Sequence, residues 1–204
     1  MVSSNNIPRN QKINVLMFSS MKGDVQLIHT ILKHNPNVNA RDINNRNALF
    51  YAIDSGKGDN ADVIMSLIKA GINVNEVEKA KGHSPLSLAT YKNLKNTVKA
   101  LLDSNSDPNH VIESGDSVLQ IAVANNNIDV VKMLLEKGAN PISSNKEGKS
   151  IIEMALKHSN SDIYRILLEE VNRRNQKENE IVKELVSENI TSSKKKKRRE
   201  SPVE

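Results

Sequence analysis

Five apolar landmarks, Leu16, Leu49, Leu86, Leu119 and Ile152, stand 33, 37, 33 and 33 residues apart along this chain of 204 residues. A period of about 20 to 50 residues marks a chain built from stacked units, each too small to bury its own apolar face. Three residues beyond each landmark is a small residue, Ser19, Ala52, Ala89, Ala122 or Ala155, as a helix crowded by its neighbour requires. Seven residues beyond come Gly23, Gly56, Asn93, Asn126 and Ser159, and four of these five are the types that enter the left-handed region most cheaply, so a first helix ends there. A second helix carries the apolar pairs Ile31-Leu32, Leu67-Ile68, Leu101-Leu102, Leu134-Leu135 and Leu167-Leu168. Its stripe, as in Ile128, Val131, Leu134 and Leu135, has helical spacing. It ends at Asn35, Gly71, Asn105 or Gly138, where a left-handed cap is expected. Asn45, Gly82, Gly115 and Gly148, each four residues before the next landmark, are the turns of hairpin connectors. The longer second unit holds its extra residues near Lys57-Gly58-Asp59 and Lys79-Ala80, between helices, where insertions cost least.

Composition agrees with a stack of thin units. Aromatic residues make up only 2% of the chain and there is no tryptophan, which argues against one large core. With no cysteine, disulfides, thiolate zinc sites and cysteine nucleophiles are excluded. The longest apolar runs, such as Val15 to Phe18, fall far short of a membrane span, and the first twelve residues do not read as a secretory signal. The net charge of +5 is concentrated in the run Lys194 to Arg199; residues 1 to 190 carry 23 basic and 22 acidic groups.

The stretches Gly82-His83-Ser84-Pro85-Leu86-Ser87-Leu88-Ala89 and Val130 to Pro141 resemble the ankyrin-repeat family, whose 33-residue unit is hairpin, helix, turn and helix. The resemblance implies an all-α repeat solenoid. Its expected organisation is a flexible N-terminus at 1–9, five repeats over 10–171, a helix at 172–190 and a disordered basic tail at 191–204. That helix has Ile181, Val182, Leu185 and Val186 on one face, and either caps the stack or docks a partner. The sequence departs from the family's Thr-Pro-Leu-His tetrad: no unit keeps the histidine and only the third keeps the proline.

Family resemblance also implies where a protein partner binds, namely the hairpins and the exposed ends of the first helices. These positions are Arg46, Asp54 and Ser55 in the second unit, and Lys81, His83, Tyr91 and Lys92 in the third. Asp116 and Asn125 follow in the fourth, and Lys149, Lys157 and His158 in the fifth. Tyr91, the single aromatic among them, is either an interface anchor or a packing residue between units. Asn39, Asn75 and Asn109, at the foot of the hairpins, either serve the turns or resemble sites of asparaginyl hydroxylation.

Catalytic chemistry finds no foothold, and no cofactor is expected. His29, His34, His83, His110 and His158 have no paired-ligand spacing, and Gly56-Lys57-Gly58 lacks the gap and hydroxyl of a phosphate loop. Asp54, Asp59 and Asp62 lack the liganding pattern of a calcium loop. The run Lys194-Lys195-Lys196-Lys197-Arg198-Arg199 resembles a nuclear-import signal, with Ser201-Pro202 beside it as a candidate phosphorylation site. The expectation is a monomeric nuclear and cytoplasmic adaptor or inhibitor, similar in size and repeat number to inhibitors of NF-kappa-B. The alternative is a nucleic-acid-associated protein that binds through the basic tail, with the repeats as scaffold.

Overall fold

A computed structural model describes residues 13–157 and 161–199. Among the described residues ten helices run α1 Val15–Lys22, α2 Val25–Leu32, α3 Ala48–Asp54, α4 Ala61–Lys69, α5 Pro85–Tyr91, α6 Lys95–Asp103, α7 Val118–Ala124, α8 Ile128–Glu136, α9 Ile151–Lys157 and α10 Ser161–Arg199. The chain divides into two units, a repeat unit ending at Tyr164 and a helical one starting at Arg165.

In the repeat unit, α1, α3, α5, α7 and α9 form one row, each touching the next, and α2, α4, α6 and α8 form a second. The small positions explain the close row: Ser19, Ala52, Ala89, Ala122 and Ala155 are all buried. Four landmarks, Leu16, Leu49, Leu86 and Leu119, are buried; at the fifth, Ile151 takes the core position and Ile152 is half-buried. Burying such a Leu or Ile stabilises by roughly 1.5–3 kcal/mol, so the core is distributed evenly through the junctions.

The departures from the tetrad are compensated locally. Its first position remains an N-cap throughout: Asn14, Asn47, Ser84, Ser117 and Ser150 each accept a backbone N–H of the helix they precede. Where the family histidine is missing, Ser87, Gln120 and Glu153 reach back 2.9 Å to the N–H of Ser84, Ser117 and Ser150, closing capping boxes. Met17 and Phe50 fill the same position with buried apolar bulk. The expected left-handed turns have φ between 49° and 92°, apart from Ser159, which lies outside the described residues.

Hairpins close through backbone bonds such as Asp42 N to Arg46 O (3.0 Å) and Ile112 N to Asp116 O (3.1 Å). Neighbouring tips are tied by Lys79 N to Asn44 O and Glu113 N to Lys81 O, both 3.0 Å. The insertion of the second unit has a structural use. Asp59 accepts from Asn96 N (2.5 Å), Thr97 N (2.8 Å) and Thr97 Oγ1 (2.7 Å), capping α6 of the next repeat, whose own N-cap, Leu94, has no polar side chain.

In the second unit, α10 covers the expected helix at 172–190 and continues to Arg199. Thr191-Ser192-Ser193 and the basic run hold no Gly or Pro to stop a helix, and Lys and Arg are good helix formers. Arg173 and Arg174, three and four residues on, both donate to Glu170 and hold its carboxyl down at about 2 against the opposing effect of burial. The flexible N-terminus expected at 1–9 lies outside the described residues, as do residues 200–204 with Ser201.

Candidate functional site

Six of the positions nominated from sequence converge on one pocket of about 260 Å³ between the second and third repeats: Arg46, Asp54, Lys81, His83, Tyr91 and Lys92. The repeat geometry brings them together. Arg46 lies at the end of one hairpin, Lys81 and His83 on the next, and Asp54 and Tyr91 are the last residues of α3 and α5. Phe50, Glu78, Ala80 and Leu88 complete the lining.

Arg46 is held from several sides. Its guanidinium lies 5.6 Å from the ring centre of Phe50 and 5.2 Å from that of Tyr51. It donates to the Phe50 carbonyl (3.3 Å) and pairs with Asp54. Asp54 also receives Lys92 Nζ at 3.0 Å, so one carboxylate serves two cations. Arg46 Nε is buried without an acceptor.

Glu78 is nearly buried, with 8% exposure. Its oxygens accept the N–H groups of Ala80 (2.6 Å), Lys81 (2.8 Å) and His83 (3.2 Å). Burial pushes its carboxyl up, yet these three donors hold it below the ordinary value. Asp42 does the same service one hairpin earlier, accepting from Asn44 N and Arg46 N (both 2.8 Å) and from the Tyr51 hydroxyl (2.7 Å). Burial, followed by that bond, raises the Tyr51 phenol well above its usual range.

His83 requires a correction: it is 6% exposed and therefore not a surface contact. Its Nδ1 lies 3.1 Å from Ser87 Oγ, and its ring packs 5.8 Å from that of Tyr91, tilted by 50°. Burial lowers its pKa, opposed by Glu78, which leaves the ring neutral at physiological pH. The His83–Ser87 contact is no nucleophile pair reaching a substrate, because Ser87 is fully buried and its hydroxyl is engaged by the Ser84 backbone. Tyr91, resting on this ring, is 60% exposed.

The other nominated residues lie elsewhere. Ser55 Oγ accepts Lys57 N (3.3 Å) within a turn. Asn125 Nδ2 donates to the Thr90 carbonyl (2.7 Å), capping α5 from the following repeat. Asp116 accepts Asn145 Nδ2 (2.8 Å) and Ser114 Oγ (2.6 Å), and Lys149 pairs with Glu147 at 2.6 Å. Lys157 ends α9, and His158 lies outside the described residues. Lys194 to Arg199 form the last turns of α10.

Asn39, Asn75 and Asn109 form a ladder between repeats. Each side-chain amide donates to a carbonyl one repeat on, Gly71, Asn105 or Gly138, at 3.2 Å. Each side-chain oxygen accepts the N–H of Asn73 (2.6 Å), Asp107 (2.9 Å) or Asn140 (2.8 Å).

Sequence reasoning missed Glu78, Leu88 and Phe50. A signal for Glu78 was present: Asp42 and Asn145 stand seven residues before their landmarks, and Glu78 stands at the same hairpin position with one residue inserted. A larger depression of about 850 Å³ lies between α2 and α4 and is lined by Val25, Leu32 and Met65, with no nominated residue in it. Among the described residues no cluster of three His, Asp or Glu could hold a metal ion, and no helix is long and apolar enough to cross a membrane.

Paired helices in two rows, joined by tied hairpins, define a helical repeat protein. The family model for ankyrin repeats in three copies matches residues 16–112 and 86–177, and the chain belongs to the ankyrin-repeat family. It is 29% identical over 105 residues to a protein of Acanthamoeba polyphaga mimivirus described as an ankyrin repeat protein. That alignment covers 52% of this chain and 13% of the viral protein. Ankyrin repeats are protein-interaction modules and are typically non-catalytic.

Proposed function

We propose that this chain is a non-enzymatic adaptor or inhibitor of a regulatory protein, which it holds against the hairpin and first-helix face of its second and third repeats. The observation that carries this reading is Tyr91, 60% exposed at the mouth of a pocket lined by Arg46, Lys81 and Lys92. Exposed aromatic and basic groups around a preformed concavity are what protein interfaces use as anchors. In this reading the run Lys194 to Arg199 directs the protein to the nucleus, phosphate on Ser201 weakens import, and the partner is a nuclear regulator of the kind that NF-kappa-B inhibitors hold. The six adjacent cations also support a second reading, in which the tail binds nucleic acid and the repeats are scaffold.

Affinity capture from native extract under nuclease treatment separates the two. The chain is compared with a deletion of 191–204 and with Tyr91→Ala. Retention of one protein partner without the tail, and its loss with Tyr91→Ala, is the expected result. Capture that needs the tail or intact nucleic acid would refute the adaptor reading.

A further inference from the structure

We infer that the groove between the second and third repeats takes an acidic, extended segment of the partner protein, with a carboxylate at the Lys81 ammonium and an adjoining apolar side chain against Tyr91 and Leu88. The inference rests on the protein-binding reading above and adds the chemistry of what is bound.

Charge decides the sign of the ligand. Both anions of the groove are already engaged: Glu78 by three backbone N–H donors, and Asp54 by Arg46 and Lys92. Lys81 stands exposed at the rim, with no carboxylate of the described residues at ion-pair distance. With His83 uncharged, Arg46, Lys81 and Lys92 outnumber Glu78 and Asp54, and the surplus positive charge is on the solvent side. Within the lining, a basic segment would approach ammonium groups and meet only carboxylates that are already engaged. A wholly apolar one would strip water from Lys81 and give nothing in return.

Shape and surface decide the rest. A volume of about 260 Å³ sits below the roughly 300–1,000 Å³ of small-molecule sites and suits a side-chain anchor from a longer segment. Its apolar wall is the exposed face of Tyr91 with half-buried Leu88, above the fully buried Phe50. A carboxylate fits better than a phosphate. In Arg46 the Nη2 is already engaged by Asp54 and the Phe50 carbonyl and Nε is buried, so the guanidinium edge that two-point phosphate recognition needs is withdrawn, which leaves single ammonium charges at the rim.

The test uses the full chain and short random peptides displayed on phage, followed by fluorescence anisotropy of synthetic copies of the selected sequences. Asp- or Glu-rich peptides with an aromatic or aliphatic neighbour are expected. Lys81→Glu should weaken them about tenfold, an effect that shrinks as salt rises. Peptides with Lys in place of the acidic residue should recover binding to Lys81→Glu, which also shows that the variant is folded. Tyr91→Ala should weaken both sets. Selected peptides that are lost with Tyr91→Ala but are not acidic, that prefer phosphoserine, or that ignore Lys81→Glu would overturn the acidic-segment inference and leave the binding face intact. Peptides indifferent to both variants would overturn the binding face itself.

Discussion

Gly115 and Gly148 occupy the same hairpin turn in successive repeats, and replacing each with alanine separates local strain from coupling between repeats. Both have left-handed backbones, φ 88° and 76°, so a Cβ costs about 1–2 kcal/mol at either site, partly offset by lost freedom of the unfolded chain. Their surroundings differ. A Cβ at Gly148 meets nothing within 4 Å, whereas at Gly115 it falls 2.6 Å from the backbone N of Lys146. Ordinary contact begins at 3.4 Å, so the next hairpin must retreat by roughly 0.8 Å. That retreat strains the bonds from Asn145 to Asp116 (2.8 Å) and from Lys146 to the Glu113 carbonyl (2.5 Å). Overpacking of this kind typically costs about 1–3 kcal/mol. Gly148→Ala should therefore destabilise by about 1 kcal/mol and Gly115→Ala by about 2–4 kcal/mol. Urea unfolding followed by far-ultraviolet circular dichroism, with the m-value checked for each variant, measures both. Equal losses would refute the claim that the fourth and fifth hairpins are in contact through this turn.

Two further perturbations follow from the caps and from the buried charges. Asp59→Ala removes the cap that one repeat supplies to the helix of the next and should cost about 1–2 kcal/mol, whereas Asp62→Ala on the neighbouring surface should cost far less; thermal melting of both compares them. Acid should weaken the protein in two stages. His83 has its pKa lowered on folding, so below the ordinary value of 6.5 the unfolded chain takes the proton first and stability falls. Glu78, also lowered, contributes stability above its ordinary value of 4.5 that disappears as pH falls through the folded value. Urea midpoints measured across this range should lose the upper stage in His83→Asn and the lower stage in Glu78→Gln; a wild-type midpoint flat between neutrality and pH 5 would contradict the His83 assignment.

Those parts of the fold that depend on local sterics were legible in the sequence. A left-handed turn admits Gly and Asn and almost nothing else, so Asn45, Gly82, Asn93 and Gly138 declared themselves without reference to distant residues. Apolar pairs likewise marked the buried stripe of each second helix. Side-chain direction was less accessible. The repeat pattern places His83 on a hairpin, but the hydroxyl of Ser87 and the ring of Tyr91 are what turn it inward, and neither belongs to the hairpin. The role of Asp59 depends on a helix that begins 36 residues later at Lys95, a distance at which propensity carries no information.

The asparagine ladder has a consequence for how the molecule opens. A bond inside one repeat is lost when that repeat unfolds, but a bond between repeats is lost when either partner does. A terminal repeat thus gives up one junction on fraying, and an internal one must break two. Amide hydrogen exchange should then slow from the ends of the stack toward its middle. The Arg46–Tyr91 groove spans the junction of the second and third repeats, which Asn75 and its neighbouring rungs flank. A ligand arriving there meets a surface whose ordering entropy was spent when the stack folded, so its own flexibility, and not that of the groove, sets the entropic cost of association.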